Sequence, residues 1–315
     1  MNLINRYIST KLLVFLFLTI AFAYSIFDIQ QSSREREAFI EANKIHPEDY
    51  YREAKILAKS AYVFNYTDKK PLFRLHEFSP KPFASLTKLM SVTLALELLG
   101  KDTIVEIPSK ITLESESDYS LVLGAKWYTG DLAKFVLVGS SNAAIEVLQS
   151  YSENVLQDKK SKFNFIELMN ERAKDFGMSR TQFFNVTGLD IDESKVGALG
   201  TAEDMVKLVG NLLPKFPELF SDTVKSEIMY YDLHNRVYNI KNTNVLLKEL
   251  SPTLLSKTGF TDLAGGNLVI AYESHGKTII ICVLGSTLSG RFYDVLVLKN
   301  LTEKYLEDVE GRKKK

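Results

Sequence analysis

The sequence predicts an α+β protein in which strands from both ends of the chain build one sheet and the helices between them form an inserted lobe. Runs of strand character lie within residues 61–75 and again after residue 250, whereas the segments between them have helical periodicity. A chain of 315 residues, 45% of them hydrophobic, has enough apolar material to bury such a core.

The predicted domain spans about residues 50–310 and opens with a β-hairpin. Two strands, 61–64 and 72–75, flank "YTDKKP", whose Asp and Pro favour a turn. After Pro82, the stretch "SLTKLMSVTLALELLG" is apolar on nearly every face and ends at Gly100. We therefore expect a helix buried in the middle of the domain.

The middle of the chain is predicted to be mostly helical. Three segments have helix-compatible periodicity: "TGDLAKFVLVGSSNAAIEVLQSY", "NFIELMNERAKDFGM" and "TAEDMVKLVGNLL". Strands are expected to return only near the end, in "TLLSKTG" and in "GGNLVIAYES" and "KTIIICVLGS", which His275 and Gly276 join. A last amphipathic helix, roughly "GRFYDVLVLKNLTEKYLEDV", leads into a basic tail at 311–315.

The charge balance argues against nucleic acid as a partner. Lys and Arg together number 39, as do Asp and Glu, so the chain has no overall basic field that would hold a phosphate backbone. The one cysteine, Cys282, lies in the apolar run "TIIICVLG" and is predicted to be a buried hydrophobic residue. The histidines have no ligand-like spacing and are expected at surface or turn positions: His46, His76, His234 and His275.

The N-terminal segment predicts a membrane signal. Residues 12–27 form an uncharged apolar run preceded by Arg6 and Lys11. Because the run continues past the cleavage-like "AFA", residues 1–30 are interpreted as a signal anchor in preference to a cleaved signal peptide. Positive charge ahead of the run places the remainder on the extracytoplasmic side, beyond a charged linker at 31–49, either membrane-anchored or secreted.

A serine and a lysine three positions apart, Ser85 and Lys88, lie at the start of the predicted buried helix. Residues at this spacing share one helix face, so the Lys88 amine can reach the Ser85 hydroxyl. Burial or a nearby cation lowers the pKa of a lysine, and a neutral amine can take the proton of a serine nucleophile. Taken alone, however, this common spacing favours an N-cap serine beside a solvated lysine.

Two further motifs change that balance. "GSSNAA" places Ser140 and Asn142 at a turn that enters a helix, and "LLSKTGF" places Lys257, Thr258 and Gly259 at the end of a strand. The order Ser-x-x-Lys, Ser-x-Asn, Lys-Thr-Gly is the signature of penicillin-binding proteins and class A β-lactamases. Each motif is weak singly, whereas the ordered set favours a serine enzyme.

Over about residues 50–290 the sequence resembles the D-alanyl-D-alanine carboxypeptidases, the low-molecular-mass penicillin-binding proteins. Beyond the motifs, the resemblance rests on "AKSAYVFNYTDKKPLFRLHEFSPKPFASLTKLM", "FIELMNERAKDFGMSRTQFFNVTGLD" and "KNTNVLLKELSPTLLSKTGFTDLAGGNLVIAY". It implies the β-lactamase/transpeptidase-like fold, with a mainly antiparallel sheet between helical layers (α/β/α) beside an all-helical lobe. The site is expected in the cleft between sheet and lobe.

The resemblance also implies roles for the helix and turn motifs. Ser85 attacks the carbonyl of the penultimate D-alanine of a peptidoglycan stem peptide, and Lys88 accepts its proton. The terminal D-alanine leaves, and water hydrolyses the acyl-enzyme. Ser140 relays a proton to the leaving amine, while Asn142 orients Lys88 and binds the substrate peptide.

The strand motif is implied to hold the substrate. Lys257 and Thr258 receive the terminal carboxylate, and Gly259 lets the substrate backbone approach the strand. The backbone N–H groups of Ser85 and Phe260 form the oxyanion hole, each worth about 3 kcal/mol in comparable sites. β-Lactams are the implied inhibitors, and the chemistry needs no metal or organic cofactor.

The sequence departs from the family pattern at three places without losing a catalytic atom. Ser141 stands where relatives usually have glycine, and Ser256 stands where glycine is frequent. The histidine that many relatives carry just before the Thr-Ala pair is missing ahead of Thr201.

Three other functions share this constellation. A D-alanyl endopeptidase that cleaves cross-links uses the same residues. A β-lactamase needs a deacylating glutamate on a loop, and the nearest candidates, Glu167 and Glu171, fit a regular helix. A non-catalytic peptidoglycan-binding domain would keep the cleft without turnover, but all the catalytic side chains are present.

Overall fold

The computed structural model describes residues 22, 26–27, 29–31, 33–35, 46–110, 118 and 120–313. The chain divides into two compact units, Met1–His46 and Pro47–Lys315. In the first unit, the described residues between 22 and 35 are helical. The predicted membrane segment at 12–27 lies mostly outside the described residues, and no helix within the described part of the chain is long and apolar enough to span a bilayer.

The second unit alternates strands and helices along the chain. Its strands are β1 (Ser60–Asn65), β2 (Lys70–Leu75), β3 (Lys81–Pro82), β4 (Ile104–Glu106), β5 (Lys126–Tyr128), β6 (Gln182–Phe183), β7 (Ala198–Gly200), β8 (Glu227–Tyr231), β9 (Val237–Lys241), β10 (Thr253–Thr261), β11 (Gly265–Ser274) and β12 (Lys277–Ser286). Its helices are α1 (Pro47–Tyr51), α2 (Lys88–Leu99), α3 (Thr129–Gly139), α4 (Asn142–Asp158), α5 (Phe165–Asp175), α6 (Ala202–Leu212), α7 (Pro217–Phe220), α8 (Leu247–Leu250) and α9 (Gly290–Lys313).

A five-stranded antiparallel sheet organises this unit, with the strand order β10-β11-β12-β1-β2. The first strand pairs with the last, so that Val63 lies opposite Ile281. The predicted sheet built from both ends of the chain is therefore confirmed. The connection between β11 and β12 turns at His275 and Gly276, as the sequence predicts, and both residues have positive φ.

Side chains that alternate along β12 cover both faces of the sheet. Ile281 and Val283 pack in the apolar cluster formed with α1 and α9. Ile280 and Cys282 face the other way, into the larger cluster that includes α2 and α6. Each such residue, fully buried, stabilises the fold by about 1.5–3 kcal/mol. The predicted three-layer α/β/α arrangement and the buried Cys282 are thus confirmed.

The helix that follows the sheet's first hairpin is the central helix of the domain. A 3-10 turn, Ala84–Thr87, leads into α2, and residues 88–95 of this helix are all buried. The helix packs against α3, α4 and α6 and stops at Gly100, whose φ is 76°. This is the buried helix predicted from the sequence. It begins at the buried Lys88, directly after the turn that holds the half-buried Ser85.

The inserted region is mainly helical, but the prediction that strands return only near the end is wrong. Short strands pair within it, β4 with β5, β7 with β3 and β6, and β8 with β9. The strands of these pairs are 2 to 5 residues long. So few residues give too little alternation for a period to stand out in the sequence.

Candidate active site

The backbone before Ser85 is held in an uncommon conformation. Ala84 has a φ of 48°, in the left-handed region that residues with a side chain rarely occupy. The buried amide of Asn267, on β11, donates to the Pro82 carbonyl oxygen at 2.9 Å and ties this segment to the sheet. Ser85 thus lies in a turn whose shape depends on tertiary contacts.

Two glycines let neighbouring backbone approach that turn. A Cβ atom on Gly188 would lie 1.9 Å from the Ala84 carbonyl oxygen, and one on Gly259 would lie 2.9 Å from the Phe83 carbonyl oxygen and 3.2 Å from the Ser85 nitrogen. No side chain fits at the first position, and the second is tighter than ordinary packing. The Lys-Thr-Gly strand therefore runs directly against the turn that holds Ser85.

Lys88 is fully buried, with 0% of its surface exposed. Its Nζ lies 3.0 Å from Ser85 Oγ, 2.6 Å from Asn142 Oδ1 and 3.0 Å from the Thr187 carbonyl oxygen. The last two atoms accept hydrogen bonds only, whereas the Ser85 hydroxyl can also donate. A neutral amine at this point can donate to Asn142 and Thr187 while its lone pair faces Ser85.

The turn between α3 and α4 presents Ser140 and Asn142 from one short segment. Ser140 has a φ of 61° and ends α3, whereas Ser141 caps α4 by accepting the Ala144 N–H at 3.0 Å. The Ser141 hydroxyl also donates to the buried carboxylate of Asp118, at 2.5 Å. This carboxylate stabilises the first turn of α4, where the helix dipole favours negative charge, and so fixes the position of Asn142.

Lys257 joins the strand motif to the turn motif. Its Nζ donates to Ser140 Oγ at 2.8 Å and to the Thr258 carbonyl oxygen at 3.0 Å. Only 1% of this side chain is exposed, and burial, followed by the charges of Lys88 and Arg291, lowers its pKa well below the ordinary value. The site therefore concentrates basic groups in a dry place, where an incoming anion would favour their protonated forms.

Thr258 and Gly259 continue this surface towards the last helix. Thr258 Oγ1 lies 2.6 Å from Thr243 Oγ1, in the loop after β9. Arg291, near the start of α9, donates from Nη1 to the Gly259 carbonyl oxygen at 2.7 Å, and burial lowers its pKa to about 10. The guanidinium adds a third basic group beside the strand motif.

All the motif residues predicted from the sequence come together at one cleft of about 480 Å³ between sheet and inserted lobe. Lys88 and Lys257 lie in its floor through their contacts with Ser85, Asn142 and Ser140. The others line it directly: Ser85, Ser140, Asn142, Thr258, Gly259 and Phe260.

Three residues at the site were not predicted from the sequence. Thr187 contributes only a backbone oxygen, which no side-chain pattern can indicate. Thr243 lies in the loop that follows an unpredicted strand. Arg291 could have been found from its position in the first turn of the last helix. A positive charge there is unfavourable with the helix dipole, which suggests that the charge has another role.

A sequence model of the family described as D-alanyl-D-alanine carboxypeptidase matches residues 47–287. The chain belongs to this family. Membership confirms the predicted serine-type D-Ala-D-Ala carboxypeptidase, a hydrolase with the fold of the penicillin-binding proteins.

Individual relatives agree with the family assignment. The chain is 27% identical to the D-alanyl-D-alanine endopeptidase of Escherichia coli, over 73% of this chain and 72% of that protein. It is 26% identical to D-alanyl-D-alanine carboxypeptidase DacF of Bacillus subtilis, over 90% and 67%. The crystal structure of ampicillin-bound penicillin-binding protein D2 from Listeria monocytogenes superposes with a TM-score of 0.66, at 28% identity, over 78% of this chain and 97% of that one.

Two of the three departures from the family pattern, both serines, form hydrogen bonds in this carboxypeptidase. Ser141 is the cap of α4 bonded to Asp118, a contact that glycine cannot make. Ser256 accepts a hydrogen bond from the Asn244 amide at 2.7 Å. Both serines are buried and both hydroxyls are hydrogen-bonded. At each position, a side-chain hydrogen bond therefore fixes a backbone segment that glycine would leave without such a contact.

Proposed function

We propose that this carboxypeptidase removes the terminal D-alanine of peptidoglycan stem peptides through an acyl-enzyme at Ser85. The observation that carries the proposal is the buried Lys88 amine, 3.0 Å from Ser85 Oγ and anchored by Asn142. A buried amine held on a serine hydroxyl is the arrangement that nucleophilic catalysis needs.

Acylation begins with Ser85. Its Oγ attacks the carbonyl carbon of the penultimate D-alanine while its proton passes to the Lys88 amine. The backbone N–H groups of Ser85 and Phe260 donate to the oxyanion that develops, and the close approach of Gly259 to the Ser85 turn supports this pairing. Asn142 holds Lys88 and offers its amide to the substrate peptide.

The leaving group departs on the side of the strand motif. The bond between carbonyl carbon and amide nitrogen breaks, and Ser140 relays to the amine the proton that Lys88 took from Ser85. The Ser140 hydroxyl accepts a hydrogen bond from Lys257. Thr258 and the Lys257 and Arg291 cations hold the terminal carboxylate. Water then hydrolyses the ester and frees Ser85.

Ionisation of Lys257 is expected to couple to carboxylate binding. A bound anion raises the pKa of Lys257 again, so binding takes up a proton at any pH between the depressed pKa of the free protein and the higher pKa of the complex. Calorimetry of an anionic peptide with the Ser85→Ala protein, in buffers of different ionisation enthalpy, measures this uptake. Equal uptake after an additional Lys257→Met change would contradict the assignment.

The carboxypeptidase proposal is tested with one preparation and two ligands. A pentapeptide stem should lose one alanine through many turnovers, whereas penicillin should leave a mass adduct on Ser85 that persists for minutes or longer. In a β-lactam the leaving nitrogen stays tethered and obstructs water, so turnover needs an added general base. Rapid hydrolysis of penicillin without an adduct would instead identify a β-lactamase.

The two glutamates that the sequence offers as candidates for such a base are held in other contacts. Glu167 forms a capping box with Asn164 at the start of α5, and Glu171 pairs with Lys174 at 2.6 Å on the same helix. Neither lines the cleft that holds Ser85. These contacts favour a carboxypeptidase over a β-lactamase.

A D-alanyl endopeptidase is the second candidate. The relative from Escherichia coli that bears this name matches over nearly three quarters of the present chain. The same nucleophile and base would serve, because only the size of the leaving group differs.

We also propose that the enzyme works on the extracytoplasmic face of the cell membrane, anchored by residues 12–27. The apolar run with Arg6 and Lys11 ahead of it and the cell-wall substrate support this location. The full chain should sediment with membranes, and residues 31–315 should remain in the supernatant and bind penicillin. Sedimentation of the shortened chain would contradict the anchor.

A further inference from the structure

The cleft continues past the point where the terminal D-alanine would lie. In the proposed function the scissile carbonyl meets the Phe260 N–H and the terminal carboxylate meets Thr258. The substrate therefore runs along β10 with its acyl half towards Thr261 and its leaving half towards Lys257. Thr243, in contact with Thr258, places the end of β9 on the leaving-group side.

The β8–β9 hairpin forms the wall on that side. Glu227 and Lys241 lie opposite each other in its register, and both line the cleft together with Asn239. Asn239 donates to the Glu227 carboxylate at 2.6 Å, which fixes this edge. All three side chains project from the exposed face of the hairpin.

The same face becomes apolar with distance from the cleft. Met229, Tyr231 and Val237 follow along it, each more than half exposed. A terminal alanine has only a methyl group on the carbon that bears its carboxylate and would reach none of these residues. The wall is therefore longer than trimming of a terminal alanine requires.

Charge indicates which ligand fits. Within the part of the chain that the structure describes, no ion pair holds the Lys241 ammonium, so it is available for a carboxylate. In a cross-link through a diamino diacid, the leaving amine lies on a carbon that also bears a carboxylate, as in D-alanine. The acceptor peptide then continues from that carbon and ends in a carboxylate of its own.

We propose that the exposed face of the β8–β9 hairpin is a subsite for the acceptor stem of a cross-linked peptide. The subsite rests on the acyl-enzyme mechanism proposed above and extends it to a larger leaving group. The carboxylate beside the leaving amine binds at Thr258 and Arg291, and the terminal carboxylate of the acceptor stem pairs with Lys241.

The bond changes match those of D-alanine release. The Ser85 oxygen forms the ester, the carbon–nitrogen bond of the cross-link breaks, and the acceptor stem leaves as an amine with the proton supplied through Ser140. Water then releases the donor stem as an acid. One cross-linked dimer and one water give two monomers, with no oxidant or other reactant.

The test compares two substrates with four proteins. Wild type, Lys241→Glu and the control Lys248→Glu are each given a pentapeptide monomer and a dimer cross-linked through a diamino diacid, and products are followed by mass spectrometry. Lys248 is an exposed lysine on α8 that does not line the cleft. Lys248→Glu therefore changes the net charge of the protein as much as Lys241→Glu does, but away from the cleft. Lys241→Gln provides a milder variant that adds no repulsion.

For Lys241→Glu, the ratio of kcat/KM for dimer to that for pentapeptide should fall by about five-fold, because charge reversal removes an attraction and adds a repulsion. Lys241→Gln should lower the ratio less, and Lys248→Glu should leave it unchanged. Cleavage of pentapeptide without cleavage of dimer, or equal ratios in wild type and Lys241→Glu, would overturn the subsite alone. Failure to cleave pentapeptide and to bind penicillin would overturn the acyl-enzyme mechanism, and the subsite with it.

Discussion

Replacing Ser85 with alanine is expected to abolish the penicillin adduct and to lower kcat for D-alanine release by about 10⁴-fold or more. The expected loss is large because removal of the nucleophile removes the covalent route, and binding groups alone restore only a small part of the rate. Intact-mass spectrometry of the protein after incubation with penicillin, and of the peptide that contains Ser85, measures the adduct directly.

A matched control lies on the helix that follows Ser85. Ser91, on α2, is buried, donates to the Val186 carbonyl oxygen at 2.8 Å and does not line the cleft. Ser91→Ala should lower the free energy of unfolding by about 1 kcal/mol and leave acylation intact. An adduct that persists in Ser85→Ala, or that maps to another serine, would show that Ser85 is not the nucleophile.

Much of the site is predictable from sequence because its chemistry lies in side chains at short, fixed spacings. Ser85 and Lys88 share one helical turn, and Lys257 and Thr258 are neighbours on a strand. Local geometry of this kind follows from helix and strand periods alone. That the three motifs meet at one site is indicated by their order along the chain, because the spacing within each motif says nothing about distant residues.

The remaining contacts depend on tertiary structure and carry weak local signals. The Thr187 carbonyl reaches Lys88 only because Gly188 allows its loop to pack against Ala84. Arg291 reaches the site from the last helix, far along the chain. The β8–β9 hairpin was not predicted, because strands of 5 residues show little periodicity.

Burial also changes what is expected of Lys88. A solvated lysine could be replaced with little loss of stability, which is the expectation from the sequence alone. In the structure, removal of its amine leaves Asn142 Oδ1 and the Thr187 carbonyl without this donor. Each buried acceptor left unpaired costs about 1–3 kcal/mol, so Lys88→Ala should weaken folding as well as catalysis.

Lys88→Gln separates these two effects. The glutamine amide is one atom shorter than the lysine side chain but still donates hydrogen bonds, whereas it cannot accept the Ser85 proton. Because a general base contributes about 10²–10⁴-fold, acylation by penicillin should slow by about 10³-fold while the Tm stays closer to wild type than that of Lys88→Ala. Stopped-flow acylation rates and thermal unfolding of the two variants provide the measurement. An acylation rate in Lys88→Gln within ten-fold of wild type would mean that Lys88 holds Asn142 in place and that another group takes the proton.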